Sequence, residues 1–365
     1  MKKLITSLLL FASLSGMAQN KTGISTEKFE DSLNHWYMSH RKASYERYDV
    51  SEYQAIADNI VAYQNEDGGW PKNLDWMAKL SPDSVKQALK PRHRLSTLDN
   101  RNIYTQIEYL AGVYALTGEK RYRESAMRGI DYLLNTQYPN GGWRGWDADA
   151  ITFNDGCIAG VLFLWYDILH DEPIYSWVDK RHRRRIERSW EKGIEVILRT
   201  QYLQNGVKSV WGQQHDHLTL LPCKARAYEH PSLSASESSE LLMLLMKIEN
   251  PSAEIIEAVK AGCAWLEANK IEGKRVITVE MPEGNPDDPT YKRDRQLIDD
   301  PEAKPIWARF YELEDNTPFL CNRDGIKVYS LTEVAVERRL GYAWYGSWGN
   351  KTLKEYKKWL KRIGQ

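Results

Sequence analysis

The sequence predicts an all-α-dominated fold: a ring of antiparallel helix pairs with a small, irregular β-containing cap. The first observation is a short signal that recurs at Gln64–Trp70 (QNEDGGW), Gln137–Trp143 (QYPNGGW) and, more loosely, Gln201–Trp211 (QYLQNGVKSVW). Its first glutamines lie 73 and 64 residues apart. Second, each copy follows an apolar stretch of helical period and closes it with Asn/Asp-Gly chemistry, because glycine accepts the left-handed conformation that ends a helix. Third, a repeat of roughly 65–70 residues is too long for ordinary solenoid units but suits two antiparallel helices plus a long loop. Functional residues then belong on the loops.

The chain opens with Met1-Lys2-Lys3, an apolar run Leu4–Leu14 and the small-residue site Gly16-Met17-Ala18. This is the pattern of a secretory signal peptide at 1–18, cleaved after Ala18, and the apolar run is too short to span a membrane. The rest, 19–365, is expected to be one exported domain, periplasmic or secreted, and monomeric. Its helices follow from period. Tyr53–Gln64 aligns Ile56, Ile60 and Tyr63; Tyr104–Thr117 aligns Ile107, Leu110, Ala111 and Tyr114 and is closed by Gly118; Arg123–Gln137 aligns Ala126, Ile130, Leu133 and Leu134. Cys157–Leu169 is apolar enough to be an inner helix. Arg183–Thr200 carries the stripe Ile186, Trp190, Ile194, Ile197, and Ser236–Lys247 and Ala253–Lys270 complete seven helices. Segment 273–330 reads as loop-rich, with a β-like run at Arg275–Glu280 and two short strands, Trp307–Tyr311 and Ile326–Ser330, flanking a turn at Asn322-Arg323-Asp324-Gly325. The basic run Lys180–Arg185 at the start of an amphipathic helix is expected to be a solvated face rather than an anion site.

The 50 basic and 50 acidic residues balance, which argues against a nucleic-acid or membrane-surface partner. Cys157, Cys223, Cys263 and Cys321 are too widely spaced for a C-x-x-C zinc site, so burial is expected, with one disulfide left open. The 14 tryptophans and 21 tyrosines against 6 phenylalanines favour polar-tipped aromatics of the kind that stack on sugar rings, although many will be core.

The chemistry-bearing residues precede the inner helices. Thr97-Leu98-Asp99-Asn100 comes before the Tyr104 helix and Asn154-Asp155-Gly156 before the Cys157 helix. Asp99 and Asp155 are therefore either plain N-caps or, with Asp147 and Asp149 nearby, hard oxygen ligands suited to Ca²⁺. Lys224, Arg226 and Tyr228 lie in Cys223–Glu229, a stretch with little regular structure, as do Arg309 and Arg323 further on. Such arginines are carboxylate clamps or surface ion pairs. No phosphate loop, H-E-x-x-H or G-x-S-x-G motif is present in the sequence, which removes the usual support for nucleotide, zinc-protease and serine-hydrolase chemistry.

At these residues the chain resembles the family 10 polysaccharide lyases, which are pectate lyases. The matching stretches are Gln64–Asn73 (QNEDGGWPKN), Ser96–Gln106 (STLDNRNIYTQ), Tyr132–Ile158 (YLLNTQYPNGGWRGW through FNDGCI), Trp211–Ser234 (WGQQHD through ARAYEHPSLS), Ala308–Val328 (ARFYELEDNTPFLCNRDGIKV) and Arg339–Gly346 (RLGYAWYG). The resemblance implies an (α/α) toroid that cleaves polygalacturonate by Ca²⁺-dependent β-elimination, giving 4,5-unsaturated oligogalacturonides. It implies that Asp99 and Asp155 hold the calcium and that Arg226 is the catalytic base. It further implies that Arg309 and Arg323 bind substrate carboxylates, with Lys224 and Tyr228 beside them. Neighbouring cations and desolvation would have to lower the pKa of Arg226, and an alkaline optimum would follow. Cys321 and Asn322 before Arg323, and His217 and His230 where prolines are common, depart from the pattern. A non-catalytic pectin-binding relative and a uronide hydrolase on the same ring are the alternatives, the latter needing an opposed pair of carboxylic acids.

Overall fold

Helical period in the sequence becomes helix in the structure, a computed structural model that describes residues 23–40, 43–170 and 172–365. The expected signal peptide at 1–18 lies outside the described residues. The helices are α1 (Glu30–Ser39), α2 (Tyr53–Tyr63), α3 (Pro82–Ala88), α4 (Tyr104–Thr117), α5 (Lys120–Thr136), α6 (Cys157–Leu169), α7 (Lys180–Thr200), α8 (Ala235–Lys247), α9 (Ala253–Ala268), α10 (Val336–Gly341) and α11 (Trp348–Arg362). All seven expected helices are present; α1, α3, α10 and α11 are additional. Consecutive helices pack as pairs, α4 on α5, α6 on α7 and α8 on α9. Within this framework α2, α5, α7 and α9 form one row, α4, α6 and α8 a second, and α11 closes on α8 and α9. α6 is buried over most of its length, as its composition predicts.

The recurring signal has a mechanical meaning. Gln64 donates to the carbonyls of Gly68 (2.8 Å) and Ser125 on α5 (2.9 Å). Gln137 does the same to Gly141 (2.8 Å) and Ser189 on α7 (2.9 Å), and Gln201 to Ser209 (2.9 Å) and Ala258 on α9 (3.0 Å). Each glutamine thus ties the end of one helix to the next helix of its row. The tryptophan that closes each copy donates its indole N–H to a last-turn carbonyl of the preceding helix, a position whose usual intrahelical N–H donor is missing. Trp70 reaches Ile60 (2.7 Å), Trp143 reaches Leu133 (2.8 Å) and Trp211 reaches Ile197 (2.8 Å). Trp307 repeats the bond to Leu266 of α9 (2.8 Å), a fourth copy that the sequence conceals. Glycine is required within the signal: Gly141 has φ 99°, and a Cβ there would lie 2.1 Å from the Lys192 carbonyl of α7.

Small antiparallel sheets decorate this body. β1 (Ala150–Thr152) pairs with β4 (Gln214–Asp216), and β2 (Leu203–Gln204) with β3 (Val207–Lys208). Further on are β5 (Lys274–Glu280), β6 (Arg293–Asp299), β7 (Trp307–Ala308), β8 (Phe310–Tyr311), β9 (Pro318–Cys321), β10 (Lys327–Val328) and β11 (Tyr345–Gly346). The stretch after Gly273 is loop-rich as expected, and its β-like run is one half of a hairpin in which β5 and β6 pair over seven residues each. One expectation is corrected here. The Asn322–Gly325 turn joins β9 to β10, while β7 pairs instead with β11. The basic run at the start of α7 is also only partly solvated, since Arg183 donates to the Ile168 carbonyl at the end of α6 (2.5 Å) and Arg185 pairs with Asp131 (2.6 Å).

All four cysteines are free, three of them buried. Seven tryptophans are fully buried: 70, 76, 143, 165, 211, 307 and 344. Among the described residues no helix is long and apolar enough to cross a membrane.

Candidate active site

The loops before α4 and α6 bring Asp99 and Asp155 into one electrostatic unit. Neither acts as an N-cap: the cap positions are Ile103 and Gly156, and α4 is capped through Gln106. The Arg101 N–H donates to the Asp155 carbonyl (3.2 Å), stitching the two loops together. Both run through unusual backbone, with positive φ at Asn100 (56°), Arg101 (56°), Ile103 (75°) and Asp155 (53°), and again at nearby Asn73 (63°). For a β-branched residue such as Ile103 that conformation is a real outlier, and strain of this kind persists where the surroundings over-determine it. Asn100 bonds Asn73 (2.5 Å), and the Ile103 N–H donates to the Gln106 side-chain oxygen (2.5 Å).

Burial first, and the charge of Asp99 second, push the Asp155 carboxyl up to about 8. Two carboxylates so placed repel, and the arrangement favours whatever cation reaches them. Asp99 is hydrogen-bonded by the Lys72 ammonium. Lys72 lies over the indole of Trp146 (4.7 Å to the ring centroid), and Arg92 lies against the same ring (4.6 Å).

The arginine side of the site begins there. Asp147 contacts both Arg92 (3.4 Å) and Arg226 (3.6 Å). It and Asp149, which accepts from the Tyr138 hydroxyl (2.5 Å), therefore serve the loop and its arginines rather than joining Asp99 and Asp155. Arg226 is clamped by Glu229, which is 2% exposed and accepts from both Nε (2.8 Å) and Nη2. Burial would lower the pKa of this guanidinium, but the hydrogen bonds and charge of Glu229 outweigh it and the net shift is upward. The expectation that neighbouring cations and desolvation depress it is thereby corrected. Tyr228 is buried with its ring between Arg226 and Arg338, 4.9 Å from each. It holds guanidinium groups in place rather than presenting a free face.

Arg309 is almost fully enclosed. It donates to Asn154 (2.8 Å) and to buried Glu237 in the first turn of α8 (2.7 Å), which puts it one residue from Asp155. Burial opposes its charge, Glu237 supports it, and the net shift is again upward. Arg323 is mostly exposed at the β9–β10 turn and makes a two-pronged pair with Glu337 (2.9 and 2.6 Å). His230 holds that turn against the Arg226 loop through the Gly325 carbonyl (2.8 Å). Lys224 is exposed beside it. The departures from the family pattern have local tasks: His217 stacks on Tyr138 (5.4 Å), and Asn322 ties the turn to Glu333 (3.0 Å) and Ala335 (2.8 Å).

Most of the candidate residues thus form one wall, running Glu229, Arg226, Asp147, Arg92, Trp146, Lys72, Asp99, with Asp155 and Arg309 behind and the Arg323–Glu337 pair joined to it through the turn that His230 ties to the Arg226 loop. Residues 64–353 match the family described as pectic acid lyase. The chain belongs to the pectic acid lyase family. Two solved structures agree with that placement. A family 10 polysaccharide lyase from Cellvibrio cellulosa is 31% identical, covering 92% of this chain and 98% of its own, with a TM-score of 0.70. A mutant of a family 10 polysaccharide lyase from Cellvibrio cellulosa in complex with trigalacturonic acid is 30% identical, covering 90% and 96%, also at 0.70. Among curated proteins none matches the sequence. The chain is therefore read as a polysaccharide lyase. Lys72, Arg92, Trp146, Glu229, Glu237 and Glu337 are residues that sequence reasoning passed over; Lys72, Trp146 and Glu229 lie inside the quoted motif stretches, whereas Arg92, Glu237 and Glu337 carry no motif signal.

Proposed function

We propose that this chain is an exported pectate lyase that cleaves α-1,4-polygalacturonate by Ca²⁺-dependent β-elimination on a closed (α/α) toroid. The two-row packing of helix pairs supports the ring, and a single domain spanning 19–365 fits it. The observation that carries the functional reading is the wall itself: three arginines, each held by its own glutamate, beside two mutually repelling aspartates.

Among the described residues no group of three or more His, Cys, Asp or Glu side chains is poised to hold a metal ion. Asp99 and Asp155 nevertheless offer the right chemistry for a hard cation, since the donors are oxygen and a cation between them would relieve the repulsion that, after burial, raises the pKa of Asp155. These two residues would hold calcium through their carboxylate oxygens. When bound, the ion would supply positive charge against the uronate carboxylate as it becomes enolate-like.

The chain's own residues do the rest. Arg309 and Arg323 bind uronate carboxylates, and Lys224 extends that positive edge along the polymer. Arg226 takes the C5 proton; the C–H electron pair becomes the C4–C5 double bond as the C4–O bond breaks and the leaving oxygen acquires a proton from water. Because Glu229 favours the charged guanidinium, the competent form grows only as pH rises, and an alkaline optimum follows. A hydrolase would need an opposed pair of acids, whereas the buried glutamates here are committed to arginines. The test is ultraviolet absorbance of polygalacturonate with the purified protein and Ca²⁺, then with a chelator. The expected result is an increase from the conjugated product that the chelator abolishes. New reducing ends without absorbance would overturn elimination, and neither signal would point to a binding protein.

A further inference from the structure

We propose that Lys72 is a tethered counter-ion, which a divalent cation must displace from Asp99 and which then pairs with a carboxylate of the bound chain. This rests on the assignment of Asp99 and Asp155 as cation ligands. The root of Lys72 is fixed. Trp70 is locked by its indole bond to Ile60 (2.7 Å), Pro71 is bridged to Ser96, and Asn73 sits at φ 63° under the Asn100 amide (2.5 Å). From that root the side chain runs over Trp146 to Asp99, with only 13% of its own surface and 11% of that of Asp99 exposed. A lysine drawn so far from water is held there by the carboxylate, and it screens half of the Asp99–Asp155 pair that the cation needs.

Lysine suits this exchange. Its ammonium is a compact charge on a flexible stem, unlike the planar fork of arginine, so it can leave one carboxylate for another without the backbone moving. A divalent ion on Asp99 repels it at close range. The Trp146 face keeps the methylene stem in the cleft when the charge leaves, and Arg92 on the same ring adds to a rim of positive charge suited to a polyanion. The consequence is linkage. Cation binding frees a positive group for the substrate, and by reciprocity the substrate, by engaging Lys72, strengthens cation binding.

The test uses Lys72→Met, which keeps the stem and removes the charge, and Lys72→Arg, which keeps the charge. Titration calorimetry measures Ca²⁺ affinity without substrate, then trigalacturonate affinity with Ca²⁺ and with chelator. Without substrate, Lys72→Met is expected to bind Ca²⁺ about tenfold tighter than wild type. The gain in trigalacturonate affinity that Ca²⁺ gives wild type shrinks about fivefold or more in this variant. Lys72→Arg retains weak Ca²⁺ binding. Unchanged or weaker Ca²⁺ affinity in a folded Lys72→Met protein overturns the proposal alone, leaving elimination intact. Absence of Ca²⁺ binding in wild type overturns it together with the ligand assignment. Urea melts of each variant show whether the fold is kept, and Lys72→Gln stands in if the methionine variant is unfolded.

Discussion

The helical body and the arginine wall solve the burial of polar groups in different ways. In the body, neutral side chains meet backbone carbonyls, and the same glutamine and indole contacts recur from copy to copy. In the wall, charge meets charge and every pair is different: Arg226 with Glu229 across three residues, Arg309 with Glu237 across 72, Arg323 with Glu337 across 14. Neutral clamps keep one geometry whatever the ionic surroundings. Ion pairs can be re-partnered, and an arriving polyanion competes for each guanidinium. The difference places rigidity in the repeats and responsiveness in the wall.

The largest effect is expected where the wall is cut. Arg226→Ala should lower kcat by about a thousandfold or more, within what loss of a proton-transferring group costs, while trigalacturonate affinity changes far less. A parallel collapse of both would make Arg226 a binding residue only. Glu229→Gln sharpens the same point. Glu229 holds the pKa of Arg226 up, so its neutral replacement should shift the acidic limb of the kcat profile to lower pH. A limb that stays in place would show that Arg226 does not give up its proton in the reaction.

The next effect belongs to the body. Gly141→Ala puts a methyl 2.1 Å from a backbone oxygen at φ 99°, and neither atom has a flexible end to move aside. A loss of about 3 kcal/mol or more is expected in urea denaturation, as for other strained backbone sites. Gly118→Ala, at φ 70° but with nothing within 4 Å, should cost only the left-handed penalty of about 1 kcal/mol. Equal losses would mean that close packing between helices of the row is not what the repeat protects.

The same contrast explains what the sequence could disclose. The repeat was visible because its glutamine, glycine and tryptophan each answer a backbone demand that returns every time a helix ends. Its fourth copy was not, since Trp307 keeps the indole bond while the β5–β6 hairpin separates it from α9. Asp99 and Asp155 stood out by their equal places before α4 and α6, although their capping alternative fell only to the observed geometry. Glu237 was invisible: an acid in the first turn of a helix is commonplace, and its task depends on Arg309 from a distant loop. Trp146 was one indole among many, and the upward shift at Arg226 could not be foreseen without knowing that Glu229 folds back onto it.

The smallest expected effect tests how the body meets the wall. His215 in β4 is completely buried beside Phe153 (5.4 Å between ring centroids), two residues from Gln213, which bonds Asn154 (3.2 Å). Its Nε2 accepts from the Gly212 N–H (2.9 Å), so Nδ1 carries the proton and donates to the Leu220 carbonyl (2.9 Å). A second proton would face an N–H with an N–H, and burial, the main cause, brings the pKa down to about 4. The unfolded chain takes that proton near pH 6.5 or so. Stability is therefore complete above that value and declines as pH falls toward about 4, because the unfolded state binds the proton first. At pH 5.5 the loss is on the order of 1 kcal/mol from this group alone. His215→Asn should flatten the stability profile over this window in urea melts taken between pH 7 and pH 4. If the slope persists unchanged, the acid sensitivity lies in the carboxylates of the wall instead, and the loop that carries Gln213 toward Arg309 is not governed by His215.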